Sequence, residues 1–241
     1  MTEITEGVYF IQGQDEMIPD SHVYVIGLPS SQDLSLVDAG LTGKGDYKIK
    51  AIQELGIELE SIKRVIMTHT HMDHIGCLAE IRERIPWAEL WIHREEADPL
   101  ESGDERGVYG MDMFREMCQA QYGLKPGDFS FKIDKKLEGN ENLEIGGMAW
   151  EVLHIPGHSP GGIALYHSAL KVLIPGDVLY ADYAIGRFDL HGADPSALKK
   201  SLMVLGEREV TILLPGHNQI VKDLPDGYVS KKVDQWGSYL G

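Results

Sequence analysis

The chain has 241 residues, with 22 Lys+Arg against 38 Asp+Glu and a formal net charge of −16. A hydrophobic share of 43 % and a charged share of 25 % describe a globular chain, long enough to need no disulfide staple. The acidic balance argues against nucleic-acid partners, which draw on clustered Lys and Arg, and against docking on anionic membranes.

The elements can be taken in chain order. Val8 to Ile11, Val23 to Ile26 and Leu34 to Val37 read as strands, apolar runs bounded by Gly, Pro, Asp and Ser. Residues 46–55 change to helical period, with Tyr47, Ala51, Ile52 and Leu55 on one face and Gly56 closing the helix. Val65 to Met67 is a short strand, residues 75–85 a helix stopped by Pro86, and Leu90 to Ile92 another strand. The stretch 93–142 is acidic at first. Met111, Phe114, Cys118 and Tyr122 then recur at helical spacing up to Gly123, as a core face or as a cap over a pocket. Strands follow at Leu143 to Ile145, Trp150 to Ile155, Ile163 to Tyr166 and Val172 to Ile174. Asp194 and Pro195 open a helix as N-cap and first residue; Val210 to Leu214 is a last strand, and residues 229–240 suggest a closing helix. Two strand-rich halves with helices imply two sheets packed face to face in one domain.

Cys77 and Cys118 fit no metal or redox spacing and read as reduced, buried thiols. The acidic N-terminus lacks an apolar signal core and no run approaches a membrane span. A cytoplasmic location is the expectation.

The chemistry concentrates in Thr68-His69-Thr70-His71-Met72-Asp73-His74, between a buried strand and a helix. In an extended segment His69 and His71 share a side and can grip one ion. Asp73 and His74 leave the following turn in a new direction and can serve a second. Clustered His and Asp have no reason to be desolvated together except a metal. Three later turns repeat one grammar: Pro156-Gly157-His158, Pro175-Gly176-Asp177 and Pro215-Gly216-His217 each put a ligand just past a strand end. His154, His167 and His93 sit in or at the end of strands and read as structural. His22 and His191 lie in turns that could face a pocket mouth.

These motifs resemble those of the metallo-β-lactamase superfamily, whose HxHxDH signature stands here as His69, His71, Asp73 and His74. Later motifs match at His158, Asp177 and His217, and an early strand-end Asp at Asp38, so the resemblance runs from about residue 6 to 222. It implies an α/β fold, the αβ/βα four-layer sandwich of two mixed β-sheets flanked by helices, with residues 93–142 as a cap or insert. It also implies two divalent metal ions, with zinc favoured and iron or manganese as alternatives. His69, His71 and His158 would hold the first ion, Asp73, His74 and His217 the second, and Asp177 would bridge them around an attacking hydroxide. Asp38 would orient ligands, or simply form a turn.

Among the branches, lactam hydrolases often carry Cys at a ligand position, the flavodiiron branch carries Glu where His71 stands, and nucleases carry an inserted domain or basic exosite. The chain looks instead like the glyoxalase II-like and lactonase-like hydrolases. Pro156-Gly157-His158-Ser159-Pro160-Gly161 is similar to a thioester-hydrolase turn, although the short segment after His217 leaves no room for a glutathione-gripping helical domain. Tyr180, three residues after Asp177, is similar to the carbonyl-polarising Tyr of acyl-homoserine lactonases. The implied activity is cleavage of a thioester or ester of a small molecule, with a lactonase or a mononuclear iron persulfide dioxygenase as alternatives. Met111 and Phe114 are candidates for the substrate wall, and a homodimer is the candidate assembly.

Overall fold

The computed structural model describes residues 2–14, 18–182 and 184–240. The chain divides into two compact units, Met1–Leu137 with Glu144–Met148, and Glu138–Leu143 with Ala149–Gly241.

The first unit runs β1 (Thr2–Thr5), β2 (Val8–Ile11), β3 (Val23–Ile26), β4 (Leu34–Val37), α1 (Gly45–Glu54), β5 (Ile62–Ile66), α2 (Met72–Ile75), α3 (Leu78–Arg84), β6 (Glu89–His93), α4 (Arg94–Glu101), α5 (Arg106–Tyr109), α6 (Asp112–Tyr122) and β7 (Lys135–Leu137). Its seven strands form one mixed sheet in chain order. β1 to β4 pair antiparallel and β4 to β7 parallel. Alternation decides which side chains meet the helices: Val23, Val25, Leu36, Val65 and Leu90 pack with Ile49 and Ile52 of α1 and Leu78 and Ile81 of α3. Because β4, β5 and β6 are parallel, the segments that leave their carboxyl ends emerge at one edge, where open α/β sheets place their chemistry.

The second unit's sheet orders β12-β11-β10-β9-β8, with β8 (Asn142–Ile145), β9 (Met148–His154), β10 (Ile163–His167), β11 (Val172–Ile174) and β12 (Ile212–Leu213). β9 and β11 each pair antiparallel with β10, and β12 pairs parallel with β11. The ends of β9, β11 and β12 therefore share one edge. α7 (Pro195–Gly206) and α8 (Tyr228–Trp236) cover the sheet through Leu198, Leu202, Leu205 and Val229, against Leu153, Leu173 and Leu213.

Most expected elements are present, including α7 with Asp194 as its N-cap, whose side chain accepts from the amides of Ser196 and Ala197. Two expectations need correction. The helix expected over 75–85 begins at Met72 and comes in two pieces, α2 and α3. Its ladder is diverted: the Cys77 amide donates to Gly40 O, and Asp73 O and His74 O accept from Ser21 and from Ala39 and Gly40. The strand expected over 210–214 shrinks to Ile212–Leu213, because its three-residue partner β11 supports only two pairs. α4 and β7 escape sequence reading; Pro99 inside α4 reads as a breaker.

Ile52 is fully buried in the first unit's core, so Ile52→Ala should cost about 2–5 kcal/mol. Asp194→Ala should cost about 1 kcal/mol through the lost cap. Urea unfolding of the two variants should preserve that order; equal losses would show that the core is not the larger contributor.

Candidate metal centre

Each ligand-type side chain lies just past the end of a strand. After β4 the chain bends at Asp38, a non-glycine residue with φ of 61°. That conformation is uncommon for an L-residue and, of the larger side chains, Asp and Asn tolerate it best. The bend is held by its own carboxylate, buried at 1 % exposure. Oδ1 accepts from the Thr68 amide at 2.7 Å, and Oδ2 accepts from the Thr68 hydroxyl at 2.8 Å. Oδ2 also lies 2.9 Å from Nδ1 of His74.

Those contacts settle where the imidazole protons sit. A carboxylate oxygen only accepts, so Nδ1 of neutral His74 carries the proton and Nε2 keeps its lone pair. The Thr68 hydroxyl, having donated to Asp38, accepts from Nδ1 of His69 at 3.1 Å, which leaves His69 Nε2 with its lone pair as well. His158 reaches the same state by another route, with Nδ1 donating to the carbonyl of Arg187 at 2.8 Å. All three Nε2 atoms are buried. Imidazoles whose far nitrogen is locked as a donor are arranged as metal ligands are.

The rings of His69 and His71 meet edge to face at 4.7 Å, and those of His69 and His74 lie 4.0 Å apart. Thr70, between the two histidines of the strand exit, donates to buried Glu96 Oε2 at 2.6 Å. In the second unit Asp177 Oδ2 stands 3.8 Å from His158 Nε2 and 3.5 Å from His217 Nε2. The turns beneath them need glycine. A side chain on Gly157 (φ 127°) would strike the backbone of Leu198 at 2.1 Å, and one on Gly186 would strike the Asp177 carbonyl at 2.1 Å and the His158 ring at 3.0 Å. The Gly216 amide donates to Gly176 O at 2.9 Å, which ties the Asp177 and His217 turns together.

Within the first unit His69, His71, Asp73 and His74 gather as ligand-type side chains, and within the second His158, Asp177 and His217 do. A donor set of imidazoles and carboxylates fits zinc, iron or manganese. Other sequence candidates are placed differently. His22 is buried, its Nδ1 accepting from the Gly13 amide at 3.0 Å and its ring edge-on to Phe10. His191 is exposed. Met111 precedes α6 and Phe114 lies on it, both half-buried, while Cys118 is the buried residue of that helix. Tyr180 is buried, beside the bridge between Leu179 and Ile185. His154 Nε2 donates to Pro160 O, and His167 and His93 accept from nearby amides. Sequence reading overlooked Thr68, Glu96 and the Arg187 carbonyl. For Thr68 a signal existed, since Thr and His alternate through residues 68–71 and the threonines of an extended exit are free to bond behind the ligands.

The Metallo-beta-lactamase superfamily profile matches residues 19–217. A probable metallo-hydrolase of Bacillus subtilis, YqgX, is 34 % identical over 194 residues, covering 79 % of this chain and 82 % of that protein. The hydroxyacylglutathione hydrolase GloC of Haemophilus influenzae is 29 % identical over 189 residues, 77 % and 80 % of the two chains. Among solved structures, TTHA1623 in a di-iron-bound form superposes with a TM-score of 0.69 at 23 % identity, over 93 % of this chain and 98 % of that one. Two mixed sheets flanked by helices are thus the α/β sandwich of these neighbours, and with its His/Asp metal-binding clusters the chain belongs to the metallo-beta-lactamase superfamily of hydrolases.

Proposed function

We propose that this chain is a dinuclear metal-dependent hydrolase of small-molecule thioesters, glyoxalase II-like in chemistry. The observation that carries the reading is the hydrogen bonding of Nδ1 in His69, His74 and His158, which leaves their buried Nε2 atoms to face a metal ion. The named activity of the Haemophilus influenzae relative supports the thioester class, and the di-iron form of a structural neighbour supports two ions. His69, His71 and His158 would hold one ion, Asp73, His74 and His217 the other, with Asp177 able to serve either. Bound there, divalent ions supply Lewis acidity at a carbonyl oxygen and a water acidified toward neutral pH.

The protein's own residues do the rest. Asp38 keeps the proton on Nδ1 of His74 and, through Thr68, on that of His69. Tyr180 offers a phenol that can donate toward the carbonyl oxygen of a thioester, or toward the departing oxygen of a lactone, and Met111 and Phe114 supply an adaptable apolar wall for an acyl group.

Protein purified without added metal should carry two ions per chain and hydrolyse acyl thioesters ahead of lactones and phosphoesters. One iron per chain with oxygen uptake on a persulfide would replace this reading by a dioxygenase. Asp38→Ala should weaken metal binding about 10–100-fold, checked by competition with a chromophoric chelator; parent-like affinity would remove Asp38 from the site.

Tyr180→Phe separates thioesterase from lactonase. A donor aimed at developing charge contributes about a hundredfold in rate, and an alkoxide leaving group needs it more than a thiolate. With metal content unchanged, the substitution should slow lactone hydrolysis far more than thioester hydrolysis. Small, equal effects would return Tyr180 to packing. Ala at Met111 or Phe114 should shift acyl-chain preference while thermal stability changes little, measured as kcat/KM across chain lengths. Loss of stability with unchanged preference would make them core residues.

A further inference from the structure

A second polar cluster lies behind the ligand helix α2. Lys48 of α1 and Asp20 form an ion pair at 2.9 Å, both side chains wholly buried. Lys48 Nζ also donates to Ser21 O at 2.8 Å. The remaining capacity of Asp20 goes to backbone: Oδ1 accepts from Leu41 N at 2.8 Å and Oδ2 from Gln14 N at 2.7 Å. One pair thus cross-links the segment around residue 20 to the loop that follows Asp38.

Those two segments are the ones that hold α2. Ser21 N donates to Asp73 O at 3.1 Å, and Ala39 N and Gly40 N donate to His74 O at 2.9 and 2.8 Å. The carbonyls of two neighbouring ligands are therefore fixed by backbone that the ion pair pins in place, instead of by helical bonds of their own. A buried pair is a poor source of stability, because desolvation offsets most of its attraction. Burial does push the Lys48 ammonium below its ordinary pKa, against the pull of Asp20. Retaining such a pair makes sense where geometry is what it secures.

We propose that Asp20 and Lys48 are positioning residues for the metal ion served by Asp73 and His74. The proposal rests on the dinuclear reading above. Lys48→Met alone would leave a buried carboxylate unmatched, so the informative variant is Asp20→Asn with Lys48→Met, which removes both charges and keeps an acceptor for Leu41 N. Stepwise zinc affinities are measured by chelator competition for the parent, for the double variant, for Ile52→Ala as a buried α1 change outside the cluster, and for the double variant placed on Asp73→Ala. The double variant should weaken one zinc ion at least tenfold and leave the other within about twofold. Ile52→Ala should leave both near parent values, and on Asp73→Ala the double variant should add a smaller loss, through His74 alone. Two parent-like affinities in the double variant would overturn the proposal. So would an equal loss in Ile52→Ala, or the full, undiminished loss repeated on Asp73→Ala. If the double variant does not fold, Lys48→Gln, which keeps a donor toward Ser21 O, carries the same comparison. A parent that saturates at one zinc per chain defeats the dinuclear reading; the comparison then falls on that ion, where a tenfold loss supports the positioning role and parent-like affinity overturns it.

Discussion

The Asp38 carboxylate is the contact on which the histidine cluster after β5 depends. It accepts from one amide, one hydroxyl and one imidazole, and does so from a backbone conformation an L-residue seldom adopts. A single anion thereby closes the turn after β4, fixes the exit of β5 and sets the protonation pattern of two imidazoles. Glutamate would be a poor replacement, since its longer side chain lacks the local bonding that eases Asp into the left-handed region. Asparagine would present a donor where the Thr68 amide or the His74 proton needs an acceptor.

The same logic explains why α2 is so short. A helix normally spends its carbonyls on its own amides. Here Asp73 O and His74 O are spent on Ser21, Ala39 and Gly40, so α2 is anchored by foreign backbone and its axis is broken before α3. The ligands gain fixed orientation at the cost of helical continuity, the exchange expected where function overrules local propensity.

Much of this was legible in the sequence because the informative residues are of ligand type, with chemistry of their own. His69, His71, Asp73 and His74 stand in one run, and His158, Asp177 and His217 each follow a Pro-Gly pair, so strand ends and metal ligands could be read together. The strands surfaced through apolar runs, and α7 through Asp194 and Pro195. What stayed hidden depends on partners distant in sequence. Thr68 gains meaning from Asp38, thirty positions earlier. The break between α2 and α3 comes from amides at 21, 39 and 40, while local periodicity over 75–85 describes a continuous helix. Lys48 and Asp20 carry no local signal, since Lys48 sits in the helical stretch 46–55 and nothing near either residue in the chain announces burial. His22 sits in a turn that reads as a pocket mouth, yet its ring packs on Phe10.

The first unit's sheet has a consequence for the order of events during synthesis. Each of its seven strands pairs with its immediate neighbours in the chain, so closing one pair requires only the segment just made. The antiparallel pairs of β1 to β4 are local and form early, while the parallel pairs from β4 to β7 wait for their long crossovers; chains fold from the N-terminus as they leave the ribosome. Asp38, Thr68, His69 and His74 all lie within this stretch. Their hydrogen-bonded arrangement can be complete while His158, Asp177 and His217 are still to be translated. The nascent chain then presents oriented imidazoles before the carboxylate of Asp177 has been made.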